Sequence, residues 1–377
     1  MARASNLCMK KTARGHAFGG HFAVGLQPSP TLTDHDKRLL ETLRPAGIIL
    51  FKGNFRHDAG DYGDWLGTYR QLLADVRTCI GREKLIVSID HEGGRVHRAP
   101  SPITNYPYAR EWAKSSAQVG RAMAIELKSL GVNVTFAPVV DVDSNPRNPV
   151  IGPRSFASTP EAVIAAALPF IRAVEAEGVA TCPKHFPGHG DTAVDSHRQL
   201  PTVEQDLEGL RRRELVPFRA TIAEGVRMVM TSHVLFPALD ADRPSTMSRA
   251  IVTGLLREEL GFKGVVITDD IGMAAVSKMF DNPEAAVNTM NAGTDIIDIC
   301  AYGTDTMRAV TIADNIAHAA QSGAIPRAVL DASRERIAKF LDGLPTYEVD
   351  QLADDIFSTH AGFAPAFTGA EGPRAAD

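Results

Sequence analysis

The sequence predicts an α/β fold of the (β/α)₈ TIM-barrel type, formed as a single domain. Eight short apolar runs recur along the 377 residues, and amphipathic stretches with a helical period lie between them. The runs are nearly continuous in apolar and β-branched residues, which is typical of parallel strands buried on both faces. An open sheet with a second domain is the alternative. Eight strand–helix repeats favour the barrel over this alternative.

The predicted elements follow from these runs. The strands cover residues 21–26, 47–51, 85–90, 133–138, 179–186, 227–233, 264–270 and 294–299. Helices are predicted over 32–43, 160–178 and 202–225, and Thr and Asp residues are placed to cap the first and the last of them. We assign 1–20 to an N-terminal extension and 21–344 to the barrel. Residues 345–377 form a C-terminal tail, for which we expect poor order because the helical period fades there.

The composition excludes several classes of protein. The formal net charge is −5 and no basic stripe alternates with aromatic residues, so a nucleic-acid partner is not expected. No run approaches the roughly 20 apolar residues of a membrane span, and the N-terminus lacks the apolar core of a secretory signal. We therefore expect a cytoplasmic protein without a membrane partner. The four cysteines are widely separated, which predicts neither a disulfide framework nor a zinc ribbon: Cys8, Cys79, Cys182 and Cys300.

Ionisable residues collect where the predicted strands end. In a barrel of this type the active site lies at the C-terminal ends of the strands. Any one of these residues has an ordinary explanation, because a single Asp is more often a helix cap and a single Arg a surface ion pair. Their combination at four strand ends predicts a functional site. The residues are Asp90, Arg98, Arg154, Lys184, His185 and Asp269.

The segment 184–197, KHFPGHGDTAVDSH, is the richest in such groups. A metal site built from His185, His189 and Asp191 is one interpretation, but the spacing matches no helix-borne metal motif. The other is a dyad in which Asp195 orients the imidazole of His197 and raises its basicity. We favour the dyad and predict no bound metal and no cofactor.

Four motifs carry a resemblance to a known family. They read IDHEGGRVHR at 89–98, APVVDVDSNP followed by IGPRSF, KHFPGHGDTAVDSH at 184–197 and VVITDDIGM at 265–273. With these motifs the chain resembles glycoside hydrolase family three from about Phe22 to Leu344, and within it the bacterial β-N-acetylglucosaminidases of peptidoglycan recycling. The family usually has Gln where His91 stands and often Ser where Thr268 stands. Neither position is expected to take part in the chemistry.

The resemblance implies a retaining exo-β-N-acetylglucosaminidase with a small carbohydrate substrate. It implies that Asp269 is the nucleophile and that His197, with Asp195, supplies the acid and the base. A mobile loop with Gly188 and Gly190 is expected to bring this dyad to the substrate. The residues implied to hold the hydroxyl and N-acetyl groups of the sugar are Asp90, Arg98, Arg154, Lys184 and His185.

Several alternatives stay open at this point. A phosphorylase, a β-glucosidase or a noncatalytic sugar-binding barrel fits the same sequence pattern, and the substrate is either a peptidoglycan fragment or a chitin-derived disaccharide. The oligomeric state is not readable from the sequence. Asp269 and Asp270 are adjacent, and since successive side chains of a strand point to opposite faces, only one of them is expected to reach the site. We expect Asp270 to cap a helix or bind a neighbouring loop.

Overall fold

A computed structural model describes residues 15–58, 60–301, 304–365 and 367 of the chain. It contains eight short strands, and each lies within one of the predicted runs, so all eight strand predictions are confirmed. The strands are β1 Phe22–Gly25, β2 Gly47–Leu50, β3 Ile86–Ile89, β4 Val134–Thr135, β5 Ala180–Thr181, β6 Met228–Thr231, β7 Val265–Thr268 and β8 Ile297–Ile299.

Every strand pairing is parallel. Six strands form one sheet in the order β5-β4-β3-β2-β1-β8, and β6 pairs with β7 in a second sheet. Single parallel bridges connect the two sheets at both edges. Phe186, beyond β5, pairs with Thr231 of β6, and Ile267 of β7 pairs with Ile296 just before β8. This parallel arrangement confirms the α/β part of the predicted fold class.

Helices occupy most of the connections between the strands. None of those in the described segments is both long and apolar enough to cross a membrane. A π-helical segment, Ala250–Glu259, lies between β6 and β7. The α-helices are α1 Asp34–Leu43, α2 Tyr62–Ile80, α3 Ala109–Trp112, α4 Ser116–Ser129, α5 Pro160–Ala176, α6 Leu207–Arg212, α7 Leu215–Glu224, α8 Pro283–Ala292, α9 Arg308–Ser322, α10 Arg327–Asp342 and α11 Asp354–Ala361.

The predicted caps are present, but one predicted helix is divided. Thr33 and Asp36 form a capping box at the start of α1, and the side chain of Asp206 accepts a hydrogen bond from Gly209 at the start of α6. The single helix predicted over 202–225 is wrong, because α6 ends at Arg212 and α7 begins at Leu215. Pro217 supplies the reason, since it has no N–H for the carbonyl four residues earlier and its ring would clash there.

The apolar core has an inner and an outer part. The outer part consists of two clusters in which helices pack on the strands. The inner part, here called the central cluster, takes buried residues from β1 to β7, from the positions on either side of β8 (Ile296 and Cys300) and from the end of α10 (Ile337, Phe340 and Leu341). Representative members are Ala23, Ile49, Ile86, Val134, Ala180, Met230, Ile267, Ile296 and Cys300.

The segment after residue 344, for which we expected poor order, contains α11, and this helix packs on the rest of the protein. Phe357 lies in one of the outer clusters. His360 donates from Nδ1 to the buried carboxylate of Glu126 at 2.7 Å, and the same carboxylate accepts from N and Oγ1 of Thr104, each at 2.7 Å. Helix α11 is therefore held by a buried hydrogen bond between His360 and Glu126. Residue 366 and residues 368–377 of the tail lie outside the described residues, as do residues 1–14, which include Cys8.

We predict that replacing His360 with alanine lowers the free energy of unfolding by about 1–3 kcal/mol, because the buried carboxylate of Glu126 loses one of its donors. Urea denaturation followed by circular dichroism measures this difference. His318→Ala is the matched control, since His318 is exposed, and it should change the free energy by less than about 0.5 kcal/mol. Equal effects of the two substitutions would show that the Glu126–His360 contact does not hold α11.

Candidate active site

The ionisable residues predicted from the sequence lie at one edge of the sheets. Asp90 directly follows β3, Asp269 directly follows β7, and Lys184 lies beyond β5 in a bridge with Val139. Because all the strands are parallel, their C-terminal ends lie at the same edge. Side chains that are distant along the chain are therefore brought together here.

Four of the five residues predicted to hold a sugar form one connected network. Lys184 Nζ lies 2.6 Å from Asp90 Oδ1, and Arg98 Nη2 lies 3.6 Å from Asp90 Oδ2. Lys184 Nζ also lies 2.7 Å from Oε1 of Glu92. The guanidinium of Arg154 contacts both carboxylate oxygens of Glu92 at 2.8 Å. One network thus links Lys184, Asp90 and Arg98, and Glu92 joins Arg154 to it through Lys184.

Glu92 was missed among the candidate site residues in the sequence, although it lies in the motif at 89–98. Its side chain is 4% exposed, so a carboxylate here is stable only if it is paired. Burial alone would raise the pKa of Glu92, but the charges of Arg154 and Lys184 hold it well below its usual range. The signal that could have identified this residue is the excess of cations, since Arg98, Arg154 and Lys184 outnumber Asp90 at these strand ends.

His185 is held by a second carboxylate, Asp141, which follows β4. Asp141 Oδ2 lies 2.6 Å from His185 Nδ1, and its Oδ1 accepts from the backbone N–H of His189 at 2.7 Å. Burial raises the pKa of Asp141, but the adjacent His185 imidazole lowers it on balance. Asp141 therefore fixes the orientation of His185 and leaves Nε2 as the nitrogen not bound to it.

The predicted pair of Asp195 and His197 is present. His197 Nδ1 lies 2.8 Å from Asp195 Oδ1, which also accepts from the backbone N–H of His197 at 2.8 Å. The side chain of His197 is 45% exposed, whereas that of Asp195 is 6% exposed. Burial raises the pKa of Asp195, but its hydrogen bonds to His197 lower it on balance. A charged carboxylate thus orients an imidazole whose other nitrogen is accessible.

The loop that carries this pair is anchored on two sides. His189 Nε2 lies 3.1 Å from Ser196 Oγ, and the carbonyl of Ser196 accepts from Ala275 N–H at 3.2 Å. The glycines expected to give the loop mobility are closely packed. An added Cβ atom would lie 1.7 Å from the Val142 carbonyl oxygen at Gly190, and 2.8 Å from the Glu214 side chain at Gly188. Close packing therefore requires glycine at both positions in this conformation.

Asp269 and Asp270 differ in their environments. Burial, the largest influence, raises the pKa of Asp269, but the charges of His185, His233 and His197 lower it on balance. Asp270 Oδ1 accepts from the backbone N–H groups of Gly272 at 2.8 Å and Cys300 at 2.9 Å, which confirms the expectation that Asp270 binds a neighbouring loop. Burial raises the pKa of Asp270 to about 6.

The interpretation of the 184–197 segment as a metal site has no support in the geometry. Both ring nitrogens of His189 lie at hydrogen-bond distance from hydroxyl groups, those of Ser196 and Thr192. Asp191 pairs with Arg213 at 2.6 Å. Within the described ranges, no three His, Cys, Asp or Glu side chains are grouped so as to hold a metal ion.

A parallel α/β fold with carboxylates, imidazoles and a lysine gathered at the strand ends has the architecture of an α/β enzyme. The sequence model of the glycosyl hydrolase family 3 N-terminal domain matches residues 23–340. The chain therefore belongs to glycosyl hydrolase family 3.

Two relatives extend this finding. Beta-hexosaminidase A of Pseudoalteromonas piscicida is 38% identical over 339 residues, which cover 84% of this chain and 56% of the relative. The beta-hexosaminidase of Neisseria meningitidis serogroup C is 36% identical over 281 residues, which cover 71% of this chain and 75% of the relative. The chain thus spans little more than half of the Pseudoalteromonas protein and most of the Neisseria protein.

Solved structures show the same fold. A glycoside hydrolase family 3 beta-N-acetylglucosaminidase from Paenibacillus superposes with a TM-score of 0.80 at 34% identity, covering 92% of this chain and 68% of that protein. NagZ from Neisseria gonorrhoeae, in complex with N-trifluoroacetyl-D-glucosamine, gives a TM-score of 0.70 at 29% identity and covers 93% of this chain and 98% of that protein.

We predict that His189 makes the protein sensitive to acid. Burial, together with the charge of His185, lowers the pKa of His189 to about 4, whereas an unfolded histidine titrates near ~6.5. Between these two pH values, His189 is protonated in the unfolded state but neutral in the folded state. The free energy of unfolding therefore decreases as the pH falls from about 6.5 towards 4. His189→Asn should remove up to about 1 kcal/mol per pH unit of this dependence.

Urea denaturation at pH 7, 6 and 5 measures this dependence. The control is His318→Asn, because the side chain of His318 is exposed. If wild type and His189→Asn lose stability with the same slope between pH 7 and 5, the imidazole of His189 does not contribute to the acid sensitivity.

Proposed function

We propose that the protein is a retaining exo-β-N-acetylglucosaminidase that removes terminal, non-reducing β-linked N-acetylglucosamine. The observation that carries the proposal is that a carboxylate and an imidazole, Asp269 and His197, interact electrostatically. Asp269 is a carboxylate that neighbouring imidazoles keep in its charged form. His197 is a partly exposed imidazole whose Nδ1 is held by Asp195. Together they supply the nucleophile and the acid/base that retaining hydrolysis requires.

We also propose that the eight strands close into a barrel and that residues 21–344 form one catalytic domain. The bridges Phe186–Thr231 and Ile267–Ile296, which connect the two sheets at both edges, support closure. The central cluster supports it too, because strands β1 to β7 all contribute to a single buried cluster. In such a barrel the site lies at the mouth formed by the strand ends.

The substrate is proposed from the relatives. The Pseudoalteromonas and Neisseria proteins are named beta-hexosaminidases, and NagZ from Neisseria gonorrhoeae binds an N-acylated glucosamine. Asp90, Arg98, Arg154, Lys184 and His185 offer charged donors and acceptors that suit the hydroxyl and amide groups of such a sugar. No residue of this set is needed as a metal ligand in the proposed reaction.

In the first step of the proposed mechanism, an oxygen of Asp269 forms a bond to the anomeric carbon as the glycosidic bond breaks. The departing oxygen takes a proton from Nε2 of His197. In the second step, water attacks the anomeric carbon and gives a proton to Nε2, and the bond to Asp269 breaks. Two displacements on one carbon retain its configuration.

Asp195 and the cations have distinct tasks in this scheme. Because Asp195 accepts from Nδ1, the neutral imidazole of His197 carries its free lone pair on Nε2, where the proton is exchanged. His185 and Lys184 help to keep Asp269 ionised, as a nucleophile must be. Glu92 and Asp141 act on the sugar only through the side chains that they hold.

The natural substrate is proposed to be a peptidoglycan-derived fragment that ends in N-acetylglucosamine. Turnover of N-acetylglucosaminyl-anhydromuramic compounds, compared with turnover of chitobiose, tests this choice. The same assay in phosphate buffer separates a hydrolase from a phosphorylase, because a phosphorylase releases sugar 1-phosphate. We expect free N-acetylglucosamine and a higher kcat/KM for the anhydromuramic compound. Predominant release of sugar 1-phosphate would overturn the assignment as a hydrolase.

We predict that Asp269→Ala abolishes turnover in a folded protein, because the covalent intermediate cannot form. A slow 2-fluoro substrate, or another slow activated substrate, should leave one sugar on Asp269 of the wild type. Mass spectrometry of a peptide digest locates the adduct. An adduct on Asp270, or inverted product anomers without any adduct, would contradict the nucleophile assignment.

We predict that His197→Ala slows substrates with poor leaving groups by about 10²–10⁴-fold, the usual contribution of general acid catalysis. Activated aryl glycosides should be affected far less in the bond-breaking step, since their leaving groups depart without a proton. Single-turnover kinetics with both substrate types measure this ratio. Equal losses on the two types would remove His197 from the acid role.

A further inference from the structure

Strand β8 contains a carboxyl group, Asp298, that the proposed mechanism does not use. It is only 2% exposed. Side chains alternate along a strand, so Asp298 shares a face with Ile296 and Cys300, which belong to the central cluster. Ile297 and Ile299 point the other way and pack in an outer cluster. Asp298 therefore lies in the apolar interior.

The backbone of this strand is tied to the corner that carries Asp269. The N–H of Asp298 donates to Oγ1 of Thr268 at 2.9 Å, and its carbonyl accepts from Ile271 at 3.1 Å. The N–H of Cys300 donates to Asp270 at 2.9 Å. Three hydrogen bonds thus connect Asp298 and Cys300 to Thr268, Asp270 and Ile271, which lie on either side of the nucleophile.

The side chain of Asp298 lacks a strong partner in the part of the chain that the structure describes. Oδ1 has no hydrogen bond, and the contact of Oδ2 is the thiol of Cys300 at 3.7 Å. No described cation forms an ion pair with it, and Lys184 pairs instead with Asp90 and Glu92. The titratable and charged groups that interact with it electrostatically are Asp90, Asp269, Asp270, Cys182 and Cys300.

A charged carboxylate in this position would be unfavourable. Among the described residues it would have no counter-charge, and it would be repelled by the carboxylates of Asp90, Asp269 and Asp270. Each of these conditions is costly. Burial, and then the charges of Asp270, Asp90 and Asp269, raise the pKa of Asp298 well above its usual range. Such a residue lowers the stability of a fold, and groups of this kind concentrate at functional sites.

We propose that Asp298 is a positioning residue for Asp269. It occupies the interior below the site as an uncharged carboxyl group. When it loses its proton, its negative charge repels the carboxylates of the corner Thr268–Ile271, and this repulsion sets an alkaline limit to turnover. The proposal rests on the proposed glycosidase function. No bond is formed or broken at Asp298, and the proton that it loses goes to solvent.

The first test uses an activated aryl β-N-acetylglucosaminide, whose leaving group needs no proton from His197. We expect kcat of the wild type to fall at alkaline pH and the midpoint of that fall to move up by at least one pH unit in Asp298→Asn, which cannot ionise. Asp34→Asn is the matched control, because the side chain of Asp34 is 88% exposed. It should follow the wild-type profile. Superimposable profiles of wild type and Asp298→Asn would overturn the proposal.

The second test does not depend on activity. With a raised pKa, the folded state keeps a proton that the unfolded state releases near pH ~4, so the stability of the wild type declines as the pH rises above that value. Asp298→Asn lacks this decline. Its thermal midpoint should exceed that of the wild type at pH 8, by a margin that shrinks towards pH 4.

The two tests separate the two hypotheses. If the wild type hydrolyses no aryl β-N-acetylglucosaminide at any pH, the proposed function fails, and the thermal midpoints still decide whether Asp298 is uncharged. If the margin between Asp298→Asn and wild type does not grow with pH, Asp298 carries a charge in the folded protein and the positioning role is overturned.

Discussion

The site depends on the ion pairs that the buried carboxylate of Glu92 forms with Arg154 and Lys184. These two cations are themselves buried. Lys184 in turn reaches Asp90. Removing one member of such a group leaves an uncompensated buried charge, which typically costs about 3–5 kcal/mol. The groups proposed to hold the sugar are therefore fixed in the protein before any substrate arrives.

Three acidic side chains near the end of β7 show how the environment separates chemically identical groups. Imidazoles keep Asp269 ionised, and burial raises the pKa of Asp270 to about 6. In the described parts of the chain, Asp298 has neither a paired cation nor a strong hydrogen bond. Such a spread of pKa values is what assigns different tasks to carboxyl groups in one site. In our proposals Asp269 is the nucleophile, Asp270 holds the loop and Asp298 stays uncharged below them.

Much of the fold was predictable because its signals are local. Each strand is a short apolar run, and the caps at Thr33 and Asp206 depend on residues only three positions away. The division of the helix over 202–225 was also within reach, since Pro217 marks it. Helix α11 was not, because it is stabilised by Glu126, a residue more than two hundred positions away along the chain.

The sequence by itself determined the α/β class, the set of ionisable residues at the strand ends and the pairing of Asp195 with His197, which are only two residues apart. Only the tertiary structure decided which charges meet. Glu92 joins Arg154 and Lys184, and Asp141 holds His185, through contacts between different strand ends. Asp298 is the clearest case, since its sequence neighbours show an ordinary strand. The effect of its carboxyl group depends on burial and on distant charges, and these are properties of the folded chain alone.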